Sequence, residues 1–198
     1  MAEWSGAKRF YKEAGVIEVA DGLLGVELDG RPVKTPAGSN LAVSSWSLAD
    51  AVAAEWAAQG ETIDPHSMPL CKLSATAIDR LSNNRDEVVG ITLKIAETDL
   101  LCYRAEEPAD LVARQQESWQ PELDWAKQEL SAEFTVTVGV LPINQPENAL
   151  QALQTALTEL DDFQLMGVSN AAAAAGSLIL AFGMQRGRIN AAAMFEKS

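Results

Sequence analysis

The side chains that most often carry chemistry are sparse in this chain. Its one histidine, His66, sits in ETIDPHSMPL between Pro65 and Pro69, a stiff polar connector, and reads as a loop residue. Cys71 and Cys102 stand far apart, and with a single histidine they cannot supply a structural zinc site or a disulfide framework; thiols so placed suit a reducing compartment. No GxxxxGK[ST], GxGxxG, GxSxG or HExxH pattern occurs. The nearest approach to an anion loop is DGRPVKTPAG, Asp29–Gly38, where Arg31 and Lys34 flank two prolines. Prolines remove the N–H donors a phosphate nest needs, so this segment reads as a hairpin. The pairs Glu106-Glu107 and Asp161-Asp162 could serve as acid and base. Both precede predicted helices, where acids complement the macrodipole, and capping is the expected role. Trp119 and Trp125 are not spaced for one helical face and read as core packing, although aromatic residues also anchor partner surfaces.

The elements that must position these residues follow from composition and period. Of 198 residues 47% are hydrophobic, enough for one domain or two small ones. With 28 acidic against 15 basic side chains the net charge is −13, which opposes DNA, RNA and anionic lipid. The acidity is local: residues 105–162 carry two Lys/Arg against twelve Asp/Glu, residues 1–43 five against six. The opening MAEWSGAKRF lacks an apolar signal region, so a cytosolic or already processed chain is expected. The uncharged stretch between Asp162 and Arg186 is long enough for a bilayer, but five consecutive alanines and three glycines weaken its transfer energy. It is expected to be one central helix, its alanine run, Ala173 and Ala174 included, packed against other helices.

Val16–Leu28 alternates around Asp21-Gly22 and Asp29-Gly30, pairs suited to type I′ turns. A β-meander is predicted over Val16–Ala20, Leu23–Leu28 and Arg31–Thr35. From Ser45 the period changes to three and four. Trp46, Ala49, Ala53 and Trp56 mark a helix capped by Ser44 or Ser45 and stopped at Gly60; Leu70, Leu73, Ala77 and Leu81 mark a second. Val88, Ile91 and Ile95 mark a third after a break at Asn83-Asn84, and a fourth runs from Pro108 to Leu130 with Pro121 as kink. Phe134, Val136, Val138 and Val140 alternate as a strand ended by Pro142, and Leu150, Leu153, Leu157 and Leu160 stripe a helix after Pro146. The fold class is α+β: a small N-terminal antiparallel β domain, residues 1–43, followed by a larger mainly α-helical domain, residues 44–198. No catalytic apparatus is visible, which favours a binding role.

Four blocks, LDGRPVKTP (Leu28–Pro36), AVAAEWAAQGETIDPHSMPLCKLSATAIDR (Ala51–Arg80), ETDLLCYRAEEP (Glu97–Pro108) and RQQESWQPELDWA (Arg114–Ala126), together resemble one family. It is the assembly chaperones dedicated to the α subunit of the F-type ATP synthase head, the "ATP twelve" family of mitochondria and α-proteobacteria. The resemblance spans Arg9 to about Arg188. It implies a small β domain joined to a larger helical domain, and function without catalysis or cofactor. Such a protein binds free α subunit, shields the surface destined for the β subunit, and releases it into the hexameric head. For this chain the net charge, the weak hydropathy of the uncharged stretch and the lack of a phosphate loop lead to the expectation of no nucleic-acid partner, no membrane insertion, and no binding or hydrolysis of ATP. Localisation would be cytoplasmic in a bacterium and the mitochondrial matrix in a eukaryote. The matching blocks supply Glu55, Trp56, Asp64, Lys72, Asp79, Arg80, Asp99, Tyr103, Arg104, Trp119, Asp124 and Trp125 as partner-binding candidates. One departure stands out: family members continue past a GRI segment into an acidic helix, whereas this chain stops at GRINAAAMFEKS, and a shortened terminus with weaker client capture is the expectation. The rival classes are a small-ligand or peptide-binding module and a metabolic enzyme with a carboxylate cleft.

Overall fold

Asp29 and Gly30 both take positive φ, 49° and 80°, the combination a type I′ hairpin turn requires. In the computed structural model, which describes residues 6–19 and 22–198, that turn joins β2 (Leu24–Leu28) to β3 (Arg31–Pro32). β1 (Ala14–Glu18) pairs antiparallel with β2, Val16 facing Val26. The other predicted turn cannot be followed, since Ala20 and Asp21 lie outside the described residues; Gly22 has φ 73°. A short fourth strand, β4 (Ala42–Val43), pairs with β2 and was not anticipated. Pro32 sits at the edge, where its missing N–H leaves no ladder bond unmade.

The chain forms two compact units, one up to Asn83 and one from Asn84 onward. The change of period at 43–44 therefore marks the start of the helices, and the compact unit continues beyond it. Its core explains why: Val26 and Leu28 of β2 and Leu41 just before β4 share one cluster with Val52 and Trp56 of α1 (Trp46–Ala57) and Cys71 of α2 (Pro69–Thr76). A sheet this small needs such a helical cover. Ser45 is the N-cap of α1 and accepts from Leu48 N–H. Trp46, placed by its spacing on the buried face, is 56% exposed because it occupies the first turn. α2 runs through a π turn at Ala77–Leu81 into α3 (Ser82–Glu97), and the expected break appears as a non-helical Asn84.

In the second unit the α3 stripe lies one residue on from the predicted one. Val89, Thr92 and Ala96 are buried, while Ile91 is exposed. β5 (Tyr103–Arg104) pairs in parallel with β6 (Thr137–Val138), the only paired part of the expected 134–140 strand. Between them α4 (Ala109–Glu129) runs through Pro121 without ending. α5 (Glu147–Thr158) buries Leu153 and Leu157 as read from the sequence. The uncharged stretch is two helices, α6 (Asp162–Ala175) and α7 (Leu178–Gln185), not one. Gly176 turns left-handed at φ 66° to end the first, and Ser177 caps the second through Leu180 N–H. α7 is buried from Leu178 to Gly183, while Ala173 and Ala174 of α6 are exposed, so the run packs only through Ala171, Ala172 and Ala175. No helix of the described residues is long and apolar enough to cross a membrane. α8 (Ala191–Lys197) follows, capped by Asn190.

Candidate functional site

In the first unit the candidate side chains mostly hold backbone. Glu55 reaches from α1 to the start of α2, accepting from Leu70 N–H and Cys71 N–H, both at 2.8 Å. It supplies the negative charge a helix N-terminus attracts, in place of a cap from Met68, which makes none. Trp56 is a core residue, 1% exposed, edge-on to Tyr11, whose hydroxyl donates to Trp56 O at 2.8 Å. Asp64 caps the short turn Pro65–Ser67 through His66 N–H, making His66 the loop residue its flanking prolines suggested. Asp79 accepts from Thr35 Oγ1–H and from Ala37 N–H at 3.0 Å, tying the π turn after α2 to the β3–β4 loop. Lys72, Asp79 and Arg80 line one shallow cavity of about 270 Å³ beside Pro36, so in this unit three of the twelve candidates come together.

In the second unit Asp99 is fully buried between α3 and α7. Its carboxylate accepts from Leu101 N–H at 3.1 Å, Ser177 Oγ–H at 3.0 Å and Ile179 N–H at 3.2 Å. Burial pushes its pKa up to about 6, against the lowering effect of those donors. Arg104 is 7% exposed and donates to Leu101 O and Gln115 O, with burial lowering its pKa. Its guanidinium lies 5.2 Å from the Trp119 ring centre, and Trp119 Nε1–H donates to Lys197 O. Tyr103 is half-buried, and its hydroxyl finds no partner among the described residues. Trp125 lies under the Arg188 guanidinium at 5.7 Å, and exposed Asp124 accepts from Gln120.

The sequence reading missed Glu122. It stands between the two tryptophans on α4, 4% exposed, with Arg188 Nε at 2.7 Å and Lys197 Nζ at 3.3 Å. Its position three residues from each tryptophan was the available signal, since that spacing places it beside both on the helix surface. Of the acid pairs, Asp161 forms a capping box with Gln164, and Asp162 pairs with Arg85. Glu106 and Glu107 are exposed and do not cap α4: the N-cap is Pro108 and the first-turn acid is Asp110. Burial raises the pKa of both Cys71 and Cys102 to about 12, which holds them as neutral thiols and not nucleophiles. Among the described residues no three His, Cys, Asp or Glu side chains gather to hold a metal ion. One surface departs from the usual pattern: Val136, Val138, Val140 and Leu141 are all exposed, the last two by 88% and 79%.

The candidate polar groups are mostly spent on the chain's own backbone, the thiols are neutral, and an apolar strip stands in solvent. Comparison with known proteins gives the class as chaperone, the family model described as "ATP12 chaperone protein" matching residues 8–127. The chain belongs to the ATP12 chaperone family. It is 25% identical over 195 residues to "Protein atp12, mitochondrial" of Schizosaccharomyces pombe, covering 92% of this chain and 67% of that one. Among solved structures, Atp12 from Paracoccus denitrificans is 38% identical with a TM-score of 0.89, covering 96% of this chain and 82% of that one. The Agrobacterium tumefaciens protein Atu1473 is 37% identical with a TM-score of 0.90, covering 96% and 71%.

Proposed function

We propose that this protein is a chaperone for assembly of the ATP synthase catalytic head, that it binds the free α subunit and shields the surface the β subunit later covers, and that it catalyses no reaction. The observation that carries the reading is membership of the ATP12 family across residues 8–127. The exposed members of the partner-binding set, Asp64, Lys72, Arg80 and Asp124, are the ones with surface to offer a client. The others serve it by holding the surface in shape. Compartment follows the host: cytoplasm in a bacterium, mitochondrial matrix in a eukaryote.

The test is binding of purified α subunit, with purified β subunit as control. Stoichiometric capture of α alone, and its release when β is added, is the expected result. Capture of neither, or of both equally, overturns the reading. Calorimetry with Mg-ATP is expected to show no binding, since no phosphate loop is present and the net charge is −13.

A further inference from the structure

β6 is an edge strand turned inside out. Antiparallel and edge strands ordinarily place apolar side chains on the core and polar ones in solvent, whereas in β6 Thr137 is half-buried and Val138 exposed, with exposed Val136 before it and exposed Val140 beyond the positive-φ Gly139. The edge is open as well. The register pairs Tyr103 with Thr137 and Arg104 with Val138, and Gly139 N–H donates to Arg104 O at 2.8 Å. In a parallel ladder alternate residues bond the neighbour, so the backbone groups of Thr137 and the Gly139 N–H face β5 and those of Val136 and Val138 face outward, until Gly139 at φ 89° ends the alternation. No hydrogen bond within the described residues takes them up. Proteins usually blunt such an edge with lysine, proline or a bulge. Neither lysine nor proline stands between Phe134 and Leu141 here, and no lysine or arginine occurs between Lys127 and Arg186.

We propose that β6 takes an additional strand from the client: an extended apolar segment flanked by lysine or arginine. This rests on the chaperone reading above. Charge selects the occupant. Exposed Glu106 and Glu107 follow β5 after Ala105, and residues 105–162 carry twelve acids against two bases. A second copy of a chain of net charge −13 would bring like charge to like, whereas a basic-flanked segment is attracted and held in register. Main-chain bonds to Val136 and Val138 give the affinity, and the exposed valine side chains give the preference for apolar residues.

The experiment uses two synthetic peptides of about eight residues with alternating valine and threonine, one carrying lysine at both ends and the other glutamate. Amide exchange and fluorescence anisotropy are measured on the full chain and on the Val138→Lys/Val140→Lys and Glu106→Gln/Glu107→Gln variants, after circular dichroism shows that each is folded. The lysine-ended peptide is expected to bind at least about tenfold tighter than the glutamate-ended one, to protect the Val138 amide, and to be lost in the valine variant. Salt and the glutamine variant should each shrink the difference between peptides. Equal binding of the peptides, no protection, or dimerisation through Val138 overturns the proposal. So does undiminished α-subunit capture by the valine variant. Peptide binding without any α-subunit capture would instead sink the chaperone reading and leave the strand site standing.

Discussion

Arg188 Nε donates to Glu122 at 2.7 Å, fastening the segment after α7 to the buried face of α4. The two residues are unequally placed: the Glu122 side chain is 5% exposed and that of Arg188 33%. Removing the arginine leaves a buried carboxylate with Lys197 alone, and also uncovers Trp125. Removing the glutamate leaves two cations with access to water. Arg188→Ala is therefore expected to cost about 2–3 kcal/mol and Glu122→Gln about 1–2, with the double variant less than additive. Urea unfolding of the three variants measures this; equal, additive losses would show the pair to be uncoupled.

The alanine run gives a sharp contrast within one helix. Ala172 is 0% exposed, whereas Ala174 is on the solvent side. Ala172→Leu overpacks the interior and should cost about 1–3 kcal/mol. Ala174→Leu should change stability by less than about 0.5 kcal/mol. Thermal unfolding showing the reverse order would mean the helix is rotated about its axis.

Gly30→Val forces a β-branched side chain to φ 80° in a site with no steric obstacle nearby. The cost is conformational alone, on the order of 1–3 kcal/mol. Gly30→Asn should recover most of it, because asparagine tolerates the left-handed region. Denaturation of both variants checks the turn; no loss for valine would mean that it is not type I′.

Local chemistry was legible wherever one or two residues decide it. Asp29-Gly30 dictates its turn, Ser45 caps α1, and Asp161 caps α6. Gly176-Ser177 carries an equally local stop and start signal, but it was overridden by the lack of charge on either side. What a sequence hides is contact between distant segments. β4 and the β5–β6 pair are two residues long each, too short for a period to show. The α3 stripe slipped by one residue because Thr92, polar by type, is buried with its hydroxyl donating to Val88 O. The candidate residues drawn from the family resemblance proved to be bonded in ways no spacing shows, Glu55 to α2 and Asp99 to α7.

Asp99 gives the fold a dependence on pH of unusual sign. Its pKa rises from the ordinary 3.8 to about 6 because burial disfavours the charged form more than Ser177 and the Ile179 and Leu101 amides favour it. The folded state thus holds this proton more tightly than the unfolded chain does. Stability from Asp99 is fully present below about pH 4 and is lost as pH rises through about 6, a change of about 2–3 kcal/mol at 1.36 kcal/mol per unit. The neighbouring Cys102 thiol stays neutral throughout, its pKa being about 12. Asp99→Asn keeps one acceptor oxygen and removes the titration. The stability of the natural chain relative to this variant should therefore be greatest near pH 4 and fall to a plateau by pH 7, while the other carboxylates contribute equally to both. Urea unfolding of the two proteins at intervals across that range reads the difference directly. A difference independent of pH would mean that Asp99 ionises as freely in the fold as outside it, and that its three donors outweigh its burial.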